Sequence, residues 1–317
     1  MCGSLINYYE NNFLRSLREN MRICMIKRLE LTKRKTKIGL IQMRMSNSVT
    51  ENLARTVKQI AMASKKGANI VCLPELFASK YFAQYKKTNE RAKYTAEYTD
   101  NFERIIDALA KAARDNNIIL VGGSVCEKAG ERIYNTSIIF DQNGNIIGKY
   151  RKVHIPYDEC YWEKDYFAPG EEFKVFKTNY GNIGVLICYD QWFPEAARIS
   201  ALMKADIIFY PTAIGTIKGI KQTEGNWKSA WENVMRGHCI ANGIFACAVN
   251  RIGKEDRITF WGGSFVCDAF GKIIKRAGRN ETTSIAVVDL TMCKKIRNGW
   301  QFLNNRRSEC YTHLLSR

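Results

Sequence analysis

The chain has 317 residues, of which 46% are hydrophobic and 25% are charged, and its formal net charge is +18. This composition is typical of a globular protein and excludes an intrinsically disordered chain. The basic excess would suit nucleic acid or an anionic membrane, but the basic residues are scattered and no helix-turn-helix or ribonucleoprotein signature is present, so we interpret the charge as a solvated surface and expect no nucleic-acid partner.

Residues 1–34 differ from the rest of the chain because they are polar and basic and show only weak helical periodicity. They run into the one dense basic stretch, KRLELTKRKTK (27–37), and lack the pattern of a secretory signal. We predict a disordered or loosely docked N-terminal extension, with a membrane-surface or partner-binding helix as the alternative. A translation start at Met21 or Met25 would also account for this segment.

From Lys35 onward, short apolar runs alternate with segments of helical periodicity. Buried strands that alternate with helices indicate an α/β layered fold. The turn DQNG between two apolar runs predicts a hairpin that adds antiparallel strands. The predicted strands cover 37–43, 69–76, 118–127, 135–141 and 145–154, and the predicted helices cover 48–68 and about 100–115.

The second half of the chain repeats the order of the first. NIGVLIC (182–188), a helix from Pro194 and DIIFYPT (206–212) follow the order of the first strand, helix and strand. GSFVCDAFGKIIKRAGR likewise matches TSIIFDQNGNIIGKYRK, with Ser, Asp, Gly, Ile and Ile in register. This repeat predicts one pseudo-twofold domain in which two similar sheets stack with helices outside. No segment is long and apolar enough to span a bilayer.

The eleven cysteines are odd in number, scattered, and free of any Cys-x-x-Cys pair. This pattern argues against a disulfide framework and a zinc site. Most are interpreted as small apolar residues of a protein in the reducing cytoplasm. We therefore expect no metal and a cytoplasmic location.

Three residues stand at the ends of predicted strands, where α/β sheets gather their ligands. Glu75 follows Pro74, Lys152 ends the strand NIIGKYRK, and Cys188 ends NIGVLI. Amides and a helix N-terminus after the cysteine would favour a thiolate. A nearby carboxylate can serve as general base and then acid, while an ammonium and a backbone N–H, such as that of Tyr189, can hold an oxyanion.

Histidine is the rival base, because thiol hydrolases often pair cysteine with histidine. The chain has three, His154, His238 and His313, and His154 alternates with Lys152 along a predicted strand, so both could face one side. A purely structural histidine is the other interpretation.

The motifs LPELF, YRKVHIP and ICYDQWFPEAAR carry a resemblance to the nitrilase (carbon–nitrogen hydrolase) superfamily over about residues 35–317. The resemblance implies a four-layer αββα sandwich with internal pseudo-twofold symmetry, commonly assembled from dimers. It implies Glu75 as general base, Lys152 as oxyanion stabiliser and Cys188 as nucleophile, and no metal or organic cofactor. The stretch WEKDYF resembles a further family motif and implies that Glu163 is an orienting carboxylate.

Within the superfamily, CYDQWFPEAAR, FYPTAIG, NRIGKE and ITFWGGSF resemble the branch that hydrolyses N-carbamoylputrescine. Relatives that bind a substrate carboxylate carry arginines after the nucleophile, whereas this chain has Gln191 and Trp192. We therefore expect an uncharged or cationic carbamoyl-amine substrate. In its pocket an ammonium can rest against aromatic ring faces, with an acidic residue such as Asp158 or Glu159 nearby. The aromatic residues expected to line this pocket are Tyr81, Tyr157, Tyr161 and Trp192.

Some alternatives stay open at this point. The segment TIKGIKQTEGNW (216–227) does not align with that branch, which leaves the tail preference undefined. A β-ureidopropionase-like hydrolase or an aliphatic amidase of the same superfamily is the main rival. A binding protein without catalysis is a further one, against which the complete Glu–Lys–Cys set argues.

Overall fold

The computed structural model describes residues 35–315, apart from the side chains of residues 89–94. The extension predicted for residues 1–34 lies outside the described residues. The described helices are α1 (Val49–Lys65), α2 (Asn89–Asp100), α3 (Phe102–Asn116), α4 (Pro194–Leu202), α5 (Trp227–Asn242) and α6 (Thr291–Trp300). None of them combines the length and apolar character that crossing a bilayer needs.

The strands form two large sheets and one small sheet. The first sheet contains β1 (Lys35–Gln42), β2 (Ile70–Cys72), β3 (Ile119–Val121), β4 (Val125–Ala129), β5 (Arg132–Phe140), β6 (Ile146–Arg151) and β16 (Thr282–Asp289). The second contains β7 (Val175–Thr178), β8 (Gly181–Val185), β9 (Ile207–Thr212), β11 (Phe245–Asn250), β14 (Phe265–Cys267) and β15 (Ile273–Arg276). The small sheet contains β10 (Gly215–Ile217), β12 (Ile252–Glu255) and β13 (Ile258–Trp261).

The two large sheets share a common strand arrangement, to which the first sheet adds β4 beside β5. In the first, β1, β2 and β3 are parallel and β5 and β6 continue antiparallel. In the second, β8, β9 and β11 are parallel and β14 and β15 continue antiparallel. An antiparallel strand also flanks each parallel set, β16 beside β1 and β7 beside β8. The predicted pseudo-twofold repeat is therefore present in the strand order.

The layers follow from the burial of the side chains. Inner-face residues of both sheets, such as Leu40 on β1 and Val185 on β8, belong to one core cluster. Val71 and Leu120 on the outer face of the first sheet pack in a second cluster with α1 and α3. Helix α1 buries one stripe, including Leu53 and Ile60, at the spacing of a helix face. The predicted four-layer αββα sandwich is confirmed.

Several strand boundaries differ from the prediction by a few residues, and two of these differences lie beside the site described below. Strand β2 ends at Cys72 rather than 76, because Pro74 has no N–H to continue the ladder. The strand expected over 118–127 is interrupted between β3 and β4. Gly123 there has φ +60°, and a Cβ would approach the Pro74 carbonyl oxygen to 2.2 Å, so only glycine permits this close crossing.

Candidate active site

The three strand-end residues come from three different elements of the two sheets. Glu75 lies in the turn after β2, Lys152 directly follows β6, and Cys188 follows β8 as the first residue of a 3₁₀ turn, Cys188–Trp192. The Cys188 backbone has φ 43°, which is unusual for a residue with a side chain. Cys188 is only 6% exposed. The fold thus brings the three predicted side chains into one buried region.

The Lys152 ammonium lies between two carboxylates. Its Nζ is 2.8 Å from Glu75 Oε1 and 2.8 Å from both carboxylate oxygens of Glu163. All three side chains are fully buried. A buried charge persists only where it is paired and hydrogen-bonded. This ion cluster therefore fixes both carboxylates in position.

Two further side chains complete the cluster. Asn135 Nδ2 on β5 donates to Glu75 Oε1 at 2.9 Å and approaches Glu163 Oε2 at 3.4 Å. The Tyr81 hydroxyl donates to Glu163 Oε1 at 2.6 Å. These bonds leave the other Glu75 oxygen, Oε2, buried and without a hydrogen-bond partner among the described residues. Glu75 therefore has one oxygen available to receive a proton.

Burial sets the protonation behaviour of the site. It raises the pKa of Glu75 to about 7, against the lowering effect of the Lys152 ammonium and of the Cys188 thiol. Burial lowers the pKa of Lys152, but the carboxylates of Glu163 and Glu75 outweigh it and raise that pKa above its ordinary value. The lysine is therefore an ammonium, and a carboxylate with a pKa near neutrality suits a general base.

The cysteine differs from the sequence-based expectation of a helix-activated thiolate. Helix α4 begins at Pro194, so a short 3₁₀ turn rather than a helix N-terminus follows Cys188. Burial, followed by the charge of Glu75, raises the pKa of the Cys188 thiol well above its usual range. The resting side chain is therefore a neutral thiol, which needs a base before it can attack.

A cavity of about 250 Å³ opens onto Cys188. Aromatic side chains form much of its wall: Tyr161, Tyr189, Trp192 and Trp227. Gln191 also lines it, and its Oε1 accepts a hydrogen bond from Trp231 Nε1 at 2.8 Å. Among the described residues that line the cavity, Asp158 is the one with a charged side chain. The cavity can therefore hold a slender, largely apolar chain with a cationic end.

The aromatic residues expected in this pocket divide into two groups. Tyr161 and Trp192 line the cavity. Tyr81 does not, because it is fully buried and its hydroxyl is used by Glu163. Tyr157 does not line it either, since it is 51% exposed and packs edge-on against Trp162 beside a neighbouring cavity. In the structure Tyr81 therefore supports Glu163, and Tyr157 lies at the protein surface outside this cavity.

The two acidic residues suggested as partners of the substrate tail have different surroundings. Asp158 lines the cavity and makes no salt bridge with any described residue. Glu159 instead forms a salt bridge with Arg257, with 2.6 Å between Oε1 and Nη1. Asp158 is therefore the carboxylate that remains available to a cationic ligand.

The rival base is engaged elsewhere. His154 Nδ1 lies 2.8 Å from Asp190 Oδ1, and its ring stacks on Phe193 with 3.6 Å between ring centroids. No hydrogen bond joins it to Cys188 in the described chain. His238 is bound to the Gln191 carbonyl oxygen at 2.8 Å. Within residues 35–315, no group of three or more His, Cys, Asp or Glu side chains is placed to hold a metal ion.

Two polar residues of this region were not predicted. Asn135 lies in the strand segment IYNTSII, where three polar residues stand between apolar ones, and this is a signal because a buried amide needs partners. Asp190 lies inside the quoted motif ICYDQWFPEAAR and is fully buried. An aspartate two residues after a nucleophile candidate could also have been singled out, because such a carboxylate needs hydrogen-bond partners when it is buried.

Comparisons with known proteins identify a family and several similar proteins for this chain. A family model described as carbon–nitrogen hydrolase matches residues 37–298. The N-carbamoylputrescine amidase of Solanum tuberosum is 39% identical over 88% of this chain and 94% of that protein. The citrullinase of Francisella tularensis is 38% identical over 88% of this chain and 98% of that protein. A solved carbon–nitrogen hydrolase from Helicobacter pylori G27 superposes with a TM-score of 0.85, at 35% identity over 89% of this chain and 99% of that one.

Proposed function

The chain belongs to the carbon–nitrogen hydrolase family, and we propose that it hydrolyses N-carbamoylputrescine to putrescine, ammonia and carbon dioxide. One observation carries the proposal: a buried Glu75–Lys152–Glu163 cluster stands beside Cys188, at a cavity whose charged wall residue is Asp158. The cluster supports hydrolysis through a thiol, and the cavity supports a cationic substrate tail. The similarity to plant N-carbamoylputrescine amidases supports the same substrate.

The first half of the proposed reaction forms a carbamoyl-thioester. Glu75 accepts the proton of the Cys188 thiol on its free oxygen, and the sulfur attacks the ureido carbon of the substrate. The Lys152 ammonium and the backbone N–H of Tyr189 stabilise the oxyanion. The carbon–nitrogen bond then breaks, and Glu75 returns the proton to the leaving amine, which departs as putrescine.

Proton uptake by Glu75 allows Lys152 to stabilise the oxyanion in this step. In the resting site the lysine contacts three carboxylate oxygens, one from Glu75 and two from Glu163. Protonation of Glu75 removes one of those negative partners, so an N–H of Lys152 becomes available to the oxyanion as its charge develops. Glu163, held by Tyr81, keeps the ammonium charged and in place.

The second half releases the carbamoyl group. Glu75, ionised again, activates a water molecule that attacks the thioester carbon. The carbon–sulfur bond breaks, the proton that Glu75 took from water returns to the Cys188 sulfur, and the carbamic acid decomposes to ammonia and carbon dioxide. The residues proposed for both halves are the same, so one buried carboxylate serves each proton transfer.

The substrate tail is proposed to end at Asp158. An ammonium near this carboxylate gains a charge partner, and contact with the face of Trp192 would add roughly 0.5–2 kcal/mol. A carboxylate in the same place would meet the like charge of Asp158, with no cation among the described residues of the cavity wall to compensate it, and should therefore bind less well. Citrulline differs from N-carbamoylputrescine by a carboxylate on the carbon that bears the ammonium, so it is the most informative competitor.

We expect the specificity constant for N-carbamoylputrescine to exceed that for N-carbamoyl-β-alanine by at least about a hundredfold, or about 2.7 kcal/mol, and citrulline to be intermediate. Ammonia release from each compound, and from simple aliphatic amides, measures this at moderate salt, where distant charges are screened. Equal rates, or preference for a carboxylate, would overturn the putrescine proposal and leave the thiol chemistry in place.

Two matched variants trace that preference to one residue. Asp158→Asn is expected to lose most of the discrimination, mainly through a higher KM for N-carbamoylputrescine. Glu159→Gln removes the neighbouring carboxylate, which is paired with Arg257 outside the cavity, and should leave the preference unchanged. If both variants behave alike, Asp158 is not the ammonium partner.

We further propose that the protein is a homo-oligomer built from dimers. Apolar side chains lie exposed on α4 and at the end of the described chain, where Ile199, Leu202, Leu314 and Leu315 line a cavity of about 550 Å³. Exposed apolar patches of this kind are typical of interfaces. Sedimentation velocity should return a dimer or a multiple of it, and a monomer at micromolar concentration would contradict this.

A cytoplasmic location is proposed from the cysteines. The nine in the described chain are all free, and eight of them are buried. Free thiols in this number suit a reducing compartment. Disulfide-linked protein in a rapidly alkylated cell extract would argue against it.

A further inference from the structure

Asp190 makes four hydrogen bonds in a fully buried position. Its Oδ2 accepts from the Ile187 N–H at 2.9 Å and from the Tyr150 hydroxyl at 2.8 Å. Its Oδ1 accepts from the His154 N–H at 2.9 Å and lies 2.8 Å from His154 Nδ1. Both oxygens are thus satisfied by fixed partners, two of which are backbone amides.

These partners lie on both sides of the reacting groups. Ile187 and Asp190 bracket Cys188 in the turn after β8. Tyr150 and His154 bracket Lys152 at the end of β6. The carboxylate therefore joins the segment that bears the thiol to the segment that bears the ammonium. These two segments belong to different sheets, and no strand ladder connects them.

The turn itself needs such a restraint. Cys188 has φ 43°, a conformation that a residue with a Cβ rarely adopts and that the surroundings must enforce. The bond from Ile187 N–H to Asp190 Oδ2 closes the turn around Cys188 from within. The bonds to Tyr150 and His154 then anchor that closed turn to the neighbouring sheet.

We propose that Asp190 is a positioning residue that sets the distance between Cys188 and Lys152. It contacts neither the cavity nor the substrate and acts only through the two segments it joins. His154 is in this role a partner of Asp190, held by it and by the stacked Phe193, and takes no proton from the thiol. The proposal concerns any substrate that reacts with Cys188, so it stands or falls independently of the putrescine assignment.

Asp190→Asn tests it, because asparagine keeps the shape but offers an NH2 group to partners that are themselves donors. A displacement of about 1 Å at a reacting group can cost roughly a hundredfold in rate. We therefore expect kcat to fall by about a hundredfold, with KM within about threefold of the unaltered protein. The pH at which kcat/KM passes through its inflection should be the same as in the unaltered protein, since Asp190 transfers no proton.

Asp268→Asn is the matched control. Asp268 also accepts backbone N–H bonds, from Phe270 and Lys272 at 2.9 Å each, but it does so in the hairpin between β14 and β15. Its substitution should leave kcat unchanged. A folded Asp190→Asn protein with kcat within threefold of normal would overturn the proposal. So would a change confined to KM or a shifted inflection, because those results assign Asp190 to the substrate or to proton transfer.

Tyr150→Phe covers the case in which Asp190→Asn does not fold. It removes one of the four bonds and keeps the ring in the core. We expect a smaller fall in kcat, about three- to tenfold, with KM and the pH inflection unchanged, as a partial loosening predicts. An unaltered kcat in folded Tyr150→Phe and in folded His154→Gln would contradict the role of Asp190.

Discussion

Replacing Cys188 with alanine is expected to reduce hydrolysis of every carbamoyl substrate to the uncatalysed rate while the protein stays folded. The proposed mechanism forms its covalent intermediate on this sulfur, and no histidine or serine is among the described residues that line the cavity. Cys188→Ser should also be inactive, because a serine hydroxyl is a poorer nucleophile beside a base whose pKa is about 7. Ammonia release measures the activity, and circular dichroism with thermal unfolding measures the fold.

Cys247→Ala provides the matched control for that experiment. Cys247 is a fully buried cysteine on β11 that packs in the core and does not line the cavity. Its truncation should leave turnover intact and lower the free energy of unfolding by roughly 1 kcal/mol, the usual scale for a small cavity. Near-normal turnover by a folded Cys188→Ala protein would remove the sulfur from the mechanism, whatever the control shows.

The layered fold could be predicted because its main signals are local. Apolar runs of strand length alternate with helical periodicity, and the second half repeats that order, so the two similar sheets follow from the sequence. Pro194 correctly marks the first turn of α4. The break at Gly123 could not be predicted in the same way, since its cause is the close approach of Pro74, about 50 residues earlier in the chain.

The site could be predicted only as far as its motifs reach. Glu75, Lys152, Glu163 and Cys188 lie in quoted motifs and come together in the structure. The contacts that orient them join residues far apart in sequence, such as Asn135 with Glu75 and Tyr150 with Asp190. Strand periodicity gives the face on which a side chain lies but not its partner on another element. For the same reason the hydrogen bond between Tyr81 and Glu163, which are 82 residues apart, could not be predicted.

Glu75→Gln is expected to lower kcat by roughly 100- to 10,000-fold, the range that a general base contributes. Glutamine preserves the shape and can still accept a hydrogen bond from Lys152, so binding of the substrate should change little. His154→Asn, which removes the rival base, should cost far less, through the loosened contact with Asp190 alone. An inactive His154 variant together with an active Glu75 variant would show that the mechanism uses a cysteine–histidine pair.

The pH dependence of the unaltered protein tests the role of Glu75 as base without any substitution. Glu75 must be ionised to accept the thiol proton, and burial raises its pKa to about 7. The value of kcat/KM should therefore rise as the pH increases through about 7 and level off above it, since it reports the free enzyme. A carboxylate at its ordinary pKa would place this inflection near 4.5, where the base would already be ionised throughout the neutral range. A neutral N-alkylurea as a second substrate distinguishes the effect of Glu75 on the pH profile from that of Asp158. Only a substrate with a cationic tail depends on Asp158. An inflection that moves between the two substrates would assign it to tail binding and remove Glu75 from the role of base.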